Sequence, residues 1–142
     1  DARFVLATDL GSISERARHY MSQANYLVIE SNYDAKMLDN GTYPEYLKAR
    51  IRAANGHLDN VDAASFLAEI YSEELKYVFL CHLSKDNNTP EIAREASMRA
   101  LLGRGATVGE GTDSLSDRTK DVQLMVLPRY DATRCFKFRV EM

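Results

Sequence analysis

Tyr26-Leu27-Val28-Ile29-Glu30 (YLVIE) and Tyr77-Val78-Phe79-Leu80-Cys81-His82 (YVFLCH) decide the fold class. A half-exposed strand alternates apolar and polar residues, whereas a strand covered on both faces has no polar side. Both runs are continuously apolar until a polar residue closes them. They predict buried strands of a largely parallel sheet.

Helical periodicity surrounds them. Ser12 and Glu15 have the spacing of a capping box, in which each side chain satisfies a backbone N–H of a new helix. Ile13, Ala17, Tyr20, Met21 and Ala24 follow as one apolar stripe. Thr42 and Glu45 repeat the spacing, with Pro44 in the first turn, for a helix running to about Ala53 and ended by Asn55 and Gly56. Asn60 caps another, with Ala64, Leu67, Ala68 and Tyr71 on one face. Thr89 and Pro90 open a helix that stops at Gly103.

Further out, RFVLATD gives a first strand, VQLMVL a strand ended by Pro128, and CFKFRVE a last one, alternating Phe136, Phe138 and Val140 with Lys137, Arg139 and Glu141. Residues 106–120 are rich in Gly, Ser, Thr and Asp and predict a flexible loop. The expected order is β-α-β-α-α-β-α-β-β, a layered α/β fold.

The 142 residues suit one domain, residues 1–142. Apolar runs of four or five residues fall far short of the roughly 20 a membrane span needs. No basic-apolar-small leader opens the chain, which begins with Asp1 and enters its first strand at once, as a piece of something longer would. Cys81 and Cys135 stand far apart in apolar runs and predict buried free thiols in a reducing cytoplasm. The net charge of −3 lacks the basic excess of a protein that grips nucleic acid non-specifically, so any DNA contact must be local. Lys48, Arg50 and Arg52, with Tyr43 and Tyr46, are one place for it, although three basic residues on a helix are more often a solvated face.

Three of these strands each end in a polar group: Asp9 in ATDLG, Glu30 in IESNYD, His82 in CHLS. In open α/β sheets the carboxyl ends of strands are where ligands bind. His57, in GHLDN, sits in a turn between two helices. Singly, Asp9 could cap a helix, Glu30 could be a solvated strand end, and His57 could brace its turn. Together they offer the oxygen and nitrogen donors that zinc and manganese take. Asp9 and His82 read as metal ligands, and Glu30 with His57 as an acid–base pair. His19 reads as a surface residue, Asn87 and Asn88 as residues ordering the loop after His82, and Ser84 has no activating base.

ATDLG, LVIESNYD with Met37 and Leu38, YPEYLKARI, GHLDN with Ala63 and Ala64, and CHLSKDNNTPE together resemble the YycJ/WalJ group of metallo-β-lactamase-fold proteins. The likeness runs from about Phe4 to Leu102 and resumes weakly at VQLMVLPR. It implies the C-terminal half of a four-layered αββα sandwich. It also implies a metal-dependent phosphodiesterase, a 5′-to-3′ exonuclease on double-stranded DNA using two divalent ions, manganese or zinc. Asp9 and His82 match the group's bridging aspartate and last metal-binding histidine. Glu30 and His57 match the proton-donating pair of related RNA-processing members. The HxHxDH signature that supplies most metal ligands in the group is absent here, so this chain alone is expected to be inactive.

Half of such a sandwich leaves an apolar sheet face to be covered, by the missing N-terminal half or by self-association. Two other functions stay open: an esterase or thioesterase on the same fold, and a doubly wound regulatory domain with Asp9 as a receiver-like phosphoacceptor.

Overall fold

The computed structural model describes residues 1–138. Among them, five strands form one wholly parallel sheet in the order β1-β2-β3-β5-β4: β1 (Phe4–Ala7), β2 (Tyr26–Glu30), β3 (Tyr77–Cys81), β4 (Val108–Gly109) and β5 (Val122–Val126). The helices are α1 (Glu15–Met21), α2 (Ala35–Asn40), α3 (Glu45–Arg52), α4 (Asn60–Ile70), α5 (Pro90–Gly103) and α6 (Leu115–Arg118). The layered α/β class expected from the sequence is what forms.

Register sorts the strand residues into two faces. Val5, Leu27, Val78 and Leu124 lie side by side, as do Ala7, Ile29, Leu80 and Val126. These join the core with Met21 of α1, Ala63, Phe66, Leu67 and Ile70 of α4, and Ala93 and Leu101 of α5. Leu27, Ile29, Val78, Leu80, Val122 and Leu124 are fully buried. Each contributes about 1.5–3 kcal/mol by leaving water. The other face carries Phe4, Tyr26 and Tyr77 in one row and Leu6, Val28 and Phe79 in the next. It is covered unevenly. Phe138 stacks on Tyr26 at 4.0 Å and Phe136 meets Phe79 edge-on at 5.3 Å. Towards the β1 edge, Phe4 is 58% exposed and Leu6 64%.

A receiver-like arrangement is not what forms. The core-forming helices α1, α4 and α5 share one face, and β1, which leads to Asp9, is an edge strand. Doubly wound sheets carry helices on both faces.

Several local expectations are corrected. Helix α1 is capped by Ser14, whose hydroxyl accepts from Ala17 N at 3.1 Å, whereas Ser12 Oγ donates to the Ala54 carbonyl. Pro44 is itself the N-cap of α3, without a side-chain bond. Asp59, not Asn60, caps α4, accepting from Asp62 N at 2.7 Å. Helix α2 was hidden in a polar stretch because its six residues are too short for a periodic stripe; Asp34 caps it.

Residues 106–120, expected as a loop, hold β4 and α6. Asp117 organises them by accepting from Glu110 N and Thr112 N at 3.0 and 2.7 Å, and Gln123 receives Gly111 N at 2.7 Å. The last strand does not form over residues 135–138, which lie on the sheet through their aromatic rings instead. Arg139, Val140 and Glu141 of that expected strand lie outside the described residues. Both cysteines are free; Cys81 is half-buried and Cys135 exposed, not buried as expected. No described helix is long and apolar enough to cross a membrane.

Candidate metal centre

Parallel strands deliver their carboxyl ends to one rim. Because Ala7 pairs with Ile29 and Glu30 with Cys81, the residues just beyond them emerge at the same level. Asp9 stands two residues past β1, Glu30 closes β2, and His82 follows β3. His57 arrives from the α3–α4 turn, where its N–H donates to the Ile51 carbonyl at 2.9 Å. Ligand atoms of all four side chains lie within 4.8 Å of one another.

Glu30 is the centre of the group and fully buried. A buried carboxylate is costly unless paired and hydrogen-bonded. Its Oε1 lies 2.6 Å from His57 Nδ1 and 3.0 Å from His82 Nδ1, while Oε2 accepts from Leu10 N at 3.1 Å. One carboxylate thus orients two imidazoles, whose rings meet edge to face at 5.2 Å. An imidazole that gives Nδ1–H to a carboxylate keeps its lone pair on Nε2, the usual way a metal-binding histidine is held. His82 Nδ1 is also 3.4 Å from Asp9 Oδ1.

The backbone is unusual at two of these positions. Asp9 and His82 have φ of 57° and 60° and are the described non-glycine residues with positive φ. Residues with a Cβ seldom adopt that region, and when they do they cluster at functional sites.

The loops that carry the ligands are packed on one another. A Cβ on Gly11 would stand 2.1 Å from the Ala53 carbonyl oxygen, so only glycine lets the Asp9 loop close on the His57 turn. Behind the rim lies a buried amide cluster. Ser31 Oγ donates to Asn60 Oδ1 at 2.6 Å, and Asn60 Nδ2 to Asn88 Oδ1 at 2.8 Å. Asn32 Nδ2 donates to the His82 carbonyl at 2.7 Å. The sequence predicts a loop-ordering role for Asn87 and Asn88 and only a helix cap for Asn60; Ser31 and Asn32 carry no expectation there. A signal was present: IESN and KDNN put amides beside both strand ends.

The remaining candidates sit elsewhere. His19 is exposed on α1, paired with Gln23. Lys48 is buried, its Nζ donating to the Asp39 carbonyl at 2.8 Å, and Arg52 pairs with Asp39. Two of the three basic residues of α3 are thus engaged by Asp39, while Arg50 is exposed. Tyr43 donates to Asp86 at 2.9 Å, a bond that raises its pKa. Ser84 Oγ accepts from Asn87 N. Burial, then the charges of Glu30 and Asp9, pushes the Cys81 thiol up to about 11, so it offers no thiolate at neutral pH.

Oxygen and nitrogen donors on an open rim fit a divalent ion of the zinc or manganese kind. The Asp9 side chain is 70% exposed and that of His82 46%, so both remain accessible to an ion.

The chain matches no known protein-family model and no solved structure. It is 42% identical over 108 residues to a Bacillus anthracis protein named exodeoxyribonuclease YycJ, which covers 76% of this chain and 41% of that protein. It is 37% identical over 113 residues to exodeoxyribonuclease WalJ of Streptococcus pneumoniae strain D39, covering 80% of this chain and 41% of the relative. The WalJ of strain R6 matches to the same extent. The chain therefore spans about two fifths of the length of these relatives.

Proposed function

We propose that this chain, a member of the YycJ/WalJ group, supplies one part of the active site of a metal-dependent phosphodiesterase that degrades DNA from 5′ to 3′. The convergence of Asp9, Glu30, His57 and His82 within 4.8 Å carries the reading. The relatives' name, exodeoxyribonuclease, supports the choice of DNA.

In this reading Asp9 and His82 hold two divalent ions, manganese or zinc, together with ligands from an HxHxDH segment that this sequence does not contain. The chemistry such ions supply is stabilisation of the charge that develops on the attacking and leaving oxygens of a phosphodiester. Glu30 fixes both imidazoles through Nδ1. His57, held at 2.6 Å from that carboxylate through Nδ1, would act as imidazolium, its Nε2–H bond breaking as the departing oxygen gains the proton. With only part of the ligand set, the chain alone is inactive.

The exposed β1 edge of the sheet's second face supports its place as the C-terminal half of an αββα sandwich. Phe4 and Leu6 are exposed there, and Glu30 has the same strand parity as Tyr26 and Val28. The N-terminal half, or failing that a second copy, covers that face. A cytoplasmic location fits the two free thiols.

The full-length protein should shorten 5′-phosphorylated duplex DNA in the presence of manganese, and the Asp9→Ala variant should not. Turnover of an ester panel with none of DNA would favour an esterase or thioesterase instead.

A further inference from the structure

The proposed metal site asks His82 to hold its imidazole steadily from a backbone in the left-handed region, φ 60°. A side chain with a Cβ does not stay there unaided. The Asn32 carboxamide supplies the restraint. Its Nδ2 donates to the carbonyl of His82 at 2.7 Å, two residues beyond Glu30 in one direction and one peptide from the imidazole in the other.

The Asn32 main chain reaches the other histidine. Its N–H donates to the Leu58 carbonyl at 2.8 Å, next to His57, and its carbonyl accepts from Ser84 N at 2.7 Å. The three chain segments that bear Glu30, His57 and His82 therefore meet at one residue. Asn88 stands behind it, Nδ2 donating to the Asn32 carbonyl at 3.1 Å and the Ser31 carbonyl at 2.9 Å. Asn88 Oδ1 accepts from Thr89 N, which fixes the cluster to the start of α5. Asn32, Asn60 and Asn88 are all buried. An apolar residue would fill such space without desolvating an amide; what the amides add is direction.

We infer that Asn32 is the positioning residue of this site: its side chain holds the His82 peptide so that the imidazole meets Glu30 and Asp9. The inference deepens the metal reading above and rests on it. The β2–β3 ladder is made by other groups, so losing the carboxamide frees His82 without dissolving the sheet.

The test is manganese binding by calorimetry to the full-length protein and to Asn32→Ala, Asn32→Asp, Asp9→Ala and Leu101→Ala variants, with crystal structures of the first two. Asn32→Ala and Asn32→Asp should each bind about 10–100-fold more weakly, the usual loss when a partner of a metal-binding histidine is removed. Asn32→Asp keeps the shape and adds negative charge, so a purely electrostatic role would tighten binding instead. Leu101→Ala, in the core of α5, should lower Tm yet leave affinity within about twofold. In Asn32→Ala the His82 φ should leave the left-handed region.

Unchanged affinity in both Asn32 variants, while Asp9→Ala loses the ion, overturns the inference alone. So does a loss that merely follows Tm, as Leu101→Ala would reveal. No manganese binding by the unsubstituted protein ends the metal reading; an unmoved His82 in Asn32→Ala would then end the positioning role as well.

Discussion

Glu30 and Asp9 both stand at the carboxyl end of a parallel strand, yet their surroundings are opposite. Glu30 is sealed, with three hydrogen-bonding partners and an amide cluster behind it. The Asp9 side chain lies mostly in solvent and meets only His82 among the group. His57 and His82 divide the same way, with side chains 31% and 46% exposed. The difference separates two tasks. A buried wall holds geometry, because its partners leave it one arrangement. An open wall can take up an ion, because its side chains remain exposed to solvent.

Breaking the open wall should have the largest effect. Asp9→Ala and His82→Ala should each weaken manganese binding by about 100-fold or more, since a ligand outweighs its supporting partners. Tm in the absence of metal should scarcely move. Calorimetry paired with thermal melts checks both.

Substitutions in the buried wall sharpen the contrast. Glu30→Gln and His57→Ala should lower kcat by about 10²–10⁴-fold, the usual range for a lost acid–base group. His57→Ala should leave metal affinity close to normal. Glu30→Gln should weaken it about 10-fold, because His82 loses a partner as well. If the two walls respond alike in both readouts, the division of roles is wrong.

A smaller effect is expected where the walls are joined. Gly11→Ala would push a methyl group against the Ala53 and Ala54 carbonyls and part the Asp9 loop from the His57 turn. A stability loss of about 1–3 kcal/mol is expected, as for other overpacked sites. Denaturant melts measure it.

The smallest change lies away from both walls. Hydrogen bonds from Thr112 and Glu110 hold the Asp117 carboxyl below its usual range. A lowered folded pKa gives stability that is present above the unfolded value and lost as pH falls through the folded one. Asp117→Asn should therefore melt lower at pH 7, and the gap should narrow below about pH 4. Metal affinity should not change.

The strands and the site were legible for different reasons. YLVIE and YVFLCH could be read because burial on both faces leaves a continuous apolar run, and their parallel pairing then brings Glu30 and His82 to one rim. Asp9 and His57 were legible as residue types within motifs, without any indication of distance. Helix ends were less so: Ser12 and Asn60 have capping chemistry but spend it on the Ala54 carbonyl and the amide cluster. The shared use of Glu30 by two histidines was not legible, since it depends on positive φ at His82. Nor was the order within residues 106–120, which comes from Asp117 and Gln123 bonding to backbone several residues away.

Anomalous diffraction from crystals of the full-length protein grown with manganese tests the central claim most directly. The account predicts a peak within coordination distance of the Asp9 carboxylate and the His82 imidazole. Manganese bound elsewhere, with Asp9 and His82 turned away from it, would contradict it.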